Sequence, residues 1–314
     1  MHSIPINPNS DWFCDKPTRL RKLGTWATCR LAVGLQKSCG DRCHEGLAIL
    51  MYHRVTEETP GTVSPTLNVT PQQFRNQLTG LLSLGFECWS LRRLIASQRE
   101  HRAIPPKTFA ITFDDGYENN YLNAWPILQE LNLPATIFVA TQYLDTDQPF
   151  PFDDWSATGS RNVPQTAWRS LSTRQCEEML EGELVEIGAH THSHQNFLSR
   201  PDDFRLDMGL CLDLLHERFN IDQPTFAFPY GYSSPELIDV AKHLGVACGL
   251  TTRPRRVLTG EDPFVWGRLW AAGQDSPSML AAKMSWYPAL ANIGKPILTR
   301  LERLTIRKNQ QSRL

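Results

Sequence analysis

The chain lacks the features that mark several large classes of protein. Its formal net charge is −1, so it has no basic excess of the kind that indicates binding to nucleic acid. No stretch approaches the ~20 consecutive apolar residues that a membrane-spanning helix needs. Its eight cysteines include no Cys-x-x-Cys pair, and no second thiol pair follows Cys39 and Cys43 at zinc spacing. We therefore expect mostly reduced, structural cysteines rather than a disulfide scaffold.

The N-terminal segment lacks the pattern of a secretory signal. Basic residues at 16–22 precede a partly apolar stretch, but Arg30 interrupts it and no small-residue cleavage site follows. This pattern predicts an N-terminal arm over 1–45 and, on the sequence as given, a cytoplasmic location, with envelope association left open. Residues 286–314 form a basic tail, which is either a solvated helix end or a weak contact with an anionic membrane surface.

Between these ends, short apolar runs alternate with helical patterns. The runs predict strands at 47–55, 109–113, 135–140, 185–190, 225–231, 246–252 and 264–271. Apolar residues at helical spacing, with capping residues before several of them, predict helices at 71–84, 121–131, 204–219 and 235–244, and a capping box predicts another that opens at Ser172. This alternation predicts an α/β fold with a parallel sheet. The strand number favours a barrel over 46–285, and an open doubly wound sheet is the alternative.

Polar side chains follow several of the predicted strands. In a parallel α/β fold the active site lies at the carboxyl ends of the strands. The residues at these positions are His53, Asp114, Asp115, His190, His192, His194, Pro229 and Tyr230. Two carboxylates and several imidazoles from distant parts of the chain would therefore meet, and together they predict a site for a divalent metal.

The residue types indicate a catalytic metal rather than a structural one. Two neutral imidazoles and one carboxylate leave coordination positions open, as in catalytic zinc sites, although cobalt, nickel, manganese or iron accept similar ligands. A cation would also explain why two adjacent carboxylates end a buried strand, since like charges at that spacing repel. One carboxylate would bind the cation, and the other would stay ionised and accept a proton.

Each of these features also has a plainer interpretation. Asp114 and Asp115 alone fit a turn or a helix N-cap. The three histidines at 190–194 alternate, so on an extended strand they would share one face and His192 could replace a neighbour as ligand. His53 would then be a packing residue. A second acid pair, in FDDW (152–155), is either solvated or lies beside a tryptophan that stacks on sugars.

Three motifs resemble those of the polysaccharide deacetylases with a NodB homology domain, carbohydrate esterase family 4. They are TFDDG (112–116), HTHSH (190–194) and FAFPYG (226–231). MYHRV (51–55) and PATIFV (134–139) are similar to the subgroup that processes exported polysaccharides and related envelope sugars. The resemblance covers 46–272 and implies a distorted (β/α)7-type barrel, the NodB-like relative of the TIM barrel.

The resemblance also implies roles for the site residues. Asp114 would be the general base, and the backbone N–H of Tyr230 would help to hold the oxyanion. The implied metal ligands, with Zn²⁺ as the expected ion, are Asp115, His190 and His194. The residues expected to bind substrate or to support these groups are His53, His192, Pro229 and Arg268.

Two positions depart from the family pattern. Where the family often has an arginine that orients the base, this sequence has Ala227, and Arg268 on a later strand is the candidate to supply that charge. The family's fifth motif usually carries a histidine that acts as general acid, but no histidine occurs beyond His243. The candidates for the general acid are His192, His53, and Asp114 acting as both base and acid.

The resemblance therefore predicts a hydrolase that removes N-acetyl, or O-acetyl, groups from an amino-sugar polysaccharide or a glycan precursor and releases acetate. The expected partner is an acetylated glycan, such as an exopolysaccharide. Two alternatives stay open. One is a catalytically idle carbohydrate-binding protein, and the other is an amidohydrolase that acts on a different non-peptide C–N bond.

Overall fold

The computed structural model describes Leu31, Gly34 and residues 46–62, 67–153 and 163–285. The strands are β1 (Leu47–Tyr52), β2 (Arg54–Val55), β3 (Asn68–Val69), β4 (Glu87–Cys88), β5 (Thr108–Phe113), β6 (Ala135–Val139), β7 (Val185–Ala189), β8 (Thr225–Ala227), β9 (Cys248–Leu250) and β10 (Leu269–Trp270). The α-helices are α1 (Pro71–Ser83), α2 (Leu91–Arg99), α3 (Trp125–Leu131), α4 (Thr173–Glu181), α5 (Pro201–Phe219), α6 (Pro235–His243) and α7 (Pro277–Ser285). The predicted arm, apart from Leu31 and Gly34, and the predicted basic tail lie outside the described residues.

A curled parallel sheet forms the centre of the molecule. Its strand order is β10-β1-β5-β6-β7-β8-β9, with β4 beside β5, and β2 pairs separately with β3. An isolated parallel bridge between Leu250 and Trp266 links the β9 edge to the segment that leads into β10. The structure is therefore the distorted (β/α)7-type barrel that the motif resemblance implied.

The strands are continuous apolar runs because both faces of the sheet are buried. In β1, Ala48, Leu50 and Tyr52 belong to the larger core, which includes helix residues such as Phe74. Leu47 and Ile49 alternate with them and belong to a second core with Phe138 and Trp266. The period-2 alternation of the strand thus divides one apolar sequence between the two cores.

Local sequence explains where the helices begin. Thr70 and Ser172 each form a capping box with the glutamine three residues later, and Ser234 caps α6 through its hydroxyl oxygen. The predicted strand over 264–271 is mostly wrong. Its first part is a 3₁₀ turn (Pro263–Val265) that the Asp262 side chain caps, Trp266 forms an isolated bridge, and the strand itself is limited to β10.

Two expectations about the chain as a whole can be compared with the described residues. None of the described helices combines the length and the apolar character that crossing a membrane requires. The described cysteines, Cys88, Cys176, Cys211 and Cys248, are free thiols, as predicted for structural cysteines.

Helix α7 closes the barrel by packing on α1. Gln77 of α1 donates to the carbonyl oxygens of Ala272 (2.7 Å) and Asp275 (3.0 Å), just before α7. The Pro277 ring lies against Gly80, where an added Cβ would approach two of its carbon atoms to 2.2 and 2.3 Å. Only a glycine at position 80 leaves room for this contact.

We expect Gly80→Ala to destabilise the fold relative to the matched variant Gly209→Ala. Both glycines lie inside helices, so both substitutions gain the same helix propensity, about 1 kcal/mol. At Gly209 an added Cβ would meet nothing within 4 Å. The difference in unfolding free energy between the two variants, measured in urea, should therefore report the Pro277 clash alone, at roughly 1–3 kcal/mol. Equal unfolding free energies would show that α7 moves away without cost.

Candidate active site

The carboxyl edge of the sheet gathers the residues that follow its strands. Asp114 and Asp115 come directly after β5, and His190 comes directly after β7. Both strands run parallel to β6, which lies between them, so their ends meet at one edge. All three side chains are buried. The prediction that these strand ends converge is confirmed.

Asp115, His190 and His194 form a compact cluster. Asp115 Oδ1 lies 3.5 Å from His190 Nε2 and 3.3 Å from His194 Nε2. The candidate ligand atoms of the three residues all lie within 4.8 Å of one another, and no residue is more than 7% exposed. The geometry is that of a site able to hold one ion.

The hydrogen bonds and charge states of the cluster fit a cation. His190 Nδ1 lies 2.7 Å from the Ala227 carbonyl oxygen and donates to it, so Nε2 is the nitrogen that faces Asp115. Burial lowers the pKa of His194, although Asp115 opposes this, and the neutral imidazole is the form that binds metals. For Asp115, burial alone would raise the pKa, but the imidazoles of His190 and His194 beside the carboxylate hold its pKa well below the usual range. Two neutral imidazoles with one carboxylate are a donor set for zinc-type ions.

The cluster depends on an uncommon backbone conformation. Asp115 (φ 74°), Thr191 (φ 65°) and His194 (φ 55°) are non-glycine residues in the left-handed region, where a Cβ is unfavourable. The segment after β7 is therefore a tight turn and not an extended strand. For this reason the alternative in which an extended strand puts the three histidines on one face, with His192 as a ligand, does not hold.

Asp207 on α5 holds this turn. Its carboxylate accepts hydrogen bonds from the backbone N–H of His192 (2.7 Å) and Ser193 (3.2 Å) and from the Ser193 hydroxyl (2.5 Å). The His194 N–H donates to Thr191 Oγ1 at 3.0 Å. These bonds satisfy the polar groups of the turn and stabilise its strained conformation. The His192 ring lies beside Thr141 (Nδ1 to Oγ1, 3.0 Å), outside the cluster.

Arg268 forms a bidentate ion pair with Asp114, the other carboxylate of the pair. Its two terminal nitrogens bind Asp114 Oδ1 at 2.5 Å and Oδ2 at 2.7 Å, and both side chains are buried. Burial alone would raise the pKa of Asp114, but Arg268, followed by His190 and His53, lowers it below the usual value. Asp114 is therefore an oriented, ionised carboxylate. The charge that the sequence lacks at Ala227 comes from Arg268, as expected.

His53 lies on the other side of Asp114. Its Nε2 atom is 3.9 Å from Asp114 Oδ2, and its backbone carbonyl accepts a hydrogen bond from Asn120 Nδ2 at 2.8 Å. Burial lowers the pKa of this histidine, although Asp115 and Asp114 act in the opposite direction. Of the two histidines considered as general acid, the structure brings His53, and not His192, beside Asp114.

Pro229 and Tyr230 form a 3₁₀ turn beyond β8. Pro229 is buried, and Tyr230 adopts a left-handed conformation (φ 58°). The Tyr230 ring meets the His194 ring edge-on, with 4.8 Å between centroids. The structure thus places the predicted oxyanion residue beside the cluster.

Sequence reasoning missed the loop that covers the cluster. Phe152 stacks on His194, with 3.8 Å between ring centroids. The next residue, Asp153, is only 4% exposed and pairs with Arg54, so the expectation of a solvated acid pair is wrong for Asp153. The rest of FDDW, Asp154 and the tryptophan, lies outside the described residues. No spacing or composition signal distinguishes this buried acid from a solvated one.

Comparisons with known proteins agree with this geometry. Poly-beta-1,6-N-acetyl-D-glucosamine N-deacetylase from Staphylococcus epidermidis is 25% identical over 234 residues, which cover 68% of this chain and 75% of that protein. The Escherichia coli K12 protein of the same name is 24% identical over 230 residues, or 64% of this chain. This match spans only 33% of the E. coli protein.

Solved structures share the fold. IcaB from Ammonifex degensii superimposes with a TM-score of 0.65 at 24% identity, covering 78% of this chain and 97% of that chain. The Streptococcus pyogenes deacetylase PplD, solved with acetate, gives a TM-score of 0.62 at 23% identity, covering 76% and 98%. The sequence model of the polysaccharide deacetylase family matches residues 101–249. The matched residues carry Asp114, Asp115 and both clustered histidines, so the similarity of this chain to the polysaccharide deacetylase family includes the candidate site.

Proposed function

We propose that this protein removes N-acetyl groups from a polysaccharide that contains N-acetylglucosamine and releases acetate. The observation that carries the proposal is the buried pair of neighbouring sites: an ionised carboxylate fixed by Arg268 beside a three-residue cation cluster. The substrate class follows from the names of the relatives, which are poly-beta-1,6-N-acetyl-D-glucosamine N-deacetylases.

Asp115, His190 and His194 would hold a divalent cation, with Zn²⁺ as the first candidate and Co²⁺, Ni²⁺, Mn²⁺ or Fe²⁺ as alternatives. When bound, such an ion would act as a Lewis acid toward the acetyl carbonyl and lower the pKa of a water molecule. Burial of the cluster keeps bulk water away and so strengthens electrostatic interactions inside it.

Asp114 would act as the general base. Its carboxylate takes the proton of the water whose oxygen adds to the acetyl carbon. The two hydrogen bonds from Arg268 fix the plane of the carboxylate. They thereby also define the position of Asp114 relative to the cluster. The backbone N–H of Tyr230 would stabilise the negative charge that develops on the former carbonyl oxygen.

His53 would act as the general acid. The C–N bond breaks when the sugar nitrogen receives a proton, and the products are acetate and a free amine. His53 Nε2 lies beside Asp114, so a proton taken up by Asp114 has a short path to the leaving nitrogen. An amine is a poor leaving group without protonation, so this step needs a proton donor at the site.

The first experiment measures acetate release from β-1,6-linked N-acetylglucosamine oligomers by protein loaded with Zn²⁺ or Co²⁺, with a chelated control. We expect release that requires the metal. Asp115→Ala should lose both metal and activity because it removes a ligand. Asp114→Asn should keep the metal and lose activity because it removes only the base.

The outcomes separate the three candidate functions. No release from any oligomer by protein with bound metal would contradict glycan deacetylation and favour an amidohydrolase for another C–N bond. Absence of both metal binding and release would favour an idle carbohydrate-binding protein. Full activity in Asp114→Asn would overturn the assignment of the base.

Arg268→Lys tests whether the base must be held in its plane. Lysine keeps the charge but has one ammonium group instead of two parallel donors. We expect kcat to fall by about 10²-fold, the scale of a misplaced catalytic group, while metal content stays unchanged. A kcat equal to that of the wild type would show that charge alone suffices at this position.

His53→Gln tests the general acid with two kinds of substrate. Hydrolysis of the N-acetyl sugar needs a protonated leaving group, so kcat/KM should fall by roughly 10²–10⁴-fold. In an activated ester such as 4-nitrophenyl acetate, the 4-nitrophenolate group leaves without protonation. Hydrolysis of this ester should therefore be much less affected. An equal loss on both substrates would assign His53 another role and return the proton transfer to Asp114.

A further inference from the structure

The two histidines of the cluster are oriented differently. His190 donates its Nδ1 proton to the Ala227 carbonyl at 2.7 Å. The Nδ1 atom of His194 is buried and has no hydrogen-bond partner among the residues that the structure describes. A histidine that binds a metal normally uses a hydrogen bond from its second nitrogen to fix its ring. The His194 ring therefore requires another constraint.

Aromatic rings enclose His194 in place of that hydrogen bond. Phe152 stacks on it, with 3.8 Å between centroids and 28° between planes. Tyr230 approaches it edge-on, at 4.8 Å and 65°. A ring stacked this closely blocks rotation of the imidazole about χ2, because rotation would drive its atoms into the face of Phe152.

Phe152 is itself held by neighbouring aromatic rings. It stacks on Phe150, with 5.2 Å between centroids and 21° between planes, and Phe150 is fully buried. Tyr143 meets both rings edge-on, at 5.2 Å from Phe150 and 5.9 Å from Phe152. The three rings form a packed group that extends from the His194 ring into the protein.

The residue after Phe152 anchors the loop by charge. Asp153 pairs with Arg54 and accepts a hydrogen bond from the Tyr117 hydroxyl at 3.0 Å, and all three side chains are buried. Arg54 also donates to the Tyr117 oxygen at 2.7 Å. Removing one partner of a buried ion pair is strongly destabilising, so this contact fixes the backbone beside Phe152.

We propose that Phe152 is a positioning residue for His194: its ring, anchored through Asp153, holds the imidazole with Nε2 toward Asp115. The contact of the two rings is independent of the proposed function. Only its consequence, tighter binding of a cation, rests on that function. Phe152 touches neither the base nor the predicted acid among the contacts described above, so it acts through His194.

The first test is proton NMR of the metal-free protein. A stacked ring shifts the protons of its neighbour upfield, so the His194 ring protons should resonate upfield of their usual range. Phe152→Tyr should keep this shift, and Phe152→Leu should abolish it. His190, whose ring is tilted by 60° to that of His194 at 4.7 Å and does not stack on Phe152, should shift much less than His194. An unshifted His194 resonance in the wild type would overturn the proposal.

The second test is the affinity for Co²⁺, measured by competition with a chelating dye. Phe152→Leu should weaken binding by about 10–100-fold, the usual effect of losing a group that orients a ligand, and Phe152→Tyr should bind as the wild type does. Phe86→Leu, a buried aromatic substitution outside the cluster, controls for the general loss of a ring. If Phe152→Leu does not fold, Phe152→Met replaces it. Wild-type affinity in the Leu or Met variant would refute the positioning role.

The two tests also separate this inference from the proposed function. An upfield His194 resonance and Phe152-dependent Co²⁺ binding, in a protein that deacetylates no glycan, would contradict the function and support the inference. Metal-dependent acetate release with an unshifted His194 resonance would do the reverse.

Discussion

The paired hydrogen bond between Arg268 and Asp114 is the contact on which the site depends. A carboxylate this deeply buried is costly unless it is paired, and the planar guanidinium offsets that cost while fixing the carboxylate plane. Arg268 also donates to the Thr251 carbonyl (3.2 Å) and approaches Thr112 Oγ1 (3.4 Å). One side chain thus ties the end of β5 to the residue after β9. The orientation of Asp114, the proposed base, therefore depends on how the strands of the curled sheet are placed relative to one another.

The cation cluster depends on a different kind of constraint, which is local. Asp115, Thr191 and His194 occupy left-handed conformations, which residues with a Cβ adopt only at a cost, and backbone hydrogen bonds to Asp207 hold the turn that carries two of them. Such strain persists only where surrounding contacts determine it. The cluster is consequently preorganised, which would reduce the ordering that binding of the proposed cation requires.

The sequence predicted those parts of the site that follow from strand ends. Asp114, Asp115 and His190 directly follow continuous apolar runs, and parallel pairing places their ends at one edge. Two-residue strands such as β3 and β4 leave no periodic pattern, and α2 begins in a segment with adjacent arginines, so these elements were not predicted. Of the strand expected over 264–271 only β10 forms, because the 3₁₀ turn that Asp262 caps occupies its first part. The burial of Asp153 could not be predicted, since it depends on Arg54 and Tyr117, which lie far away in sequence.

The way the sheet curls also determines what a fragment of this chain would contain. The family match over 101–249 includes the cation cluster and the base, but His53 precedes it and Arg268 follows it. Both reach Asp114 because β1 lies between β5 and β10 in the sheet. A gene fragment cut at the limits of the match would retain Asp115, His190 and His194, the proposed ion ligands, and lose the two side chains that approach Asp114, the proposed base. Any recombination or domain transfer that respects only the matched region would therefore separate the cluster from the contacts of Asp114, so the segment that carries the complete site is longer than the matched region.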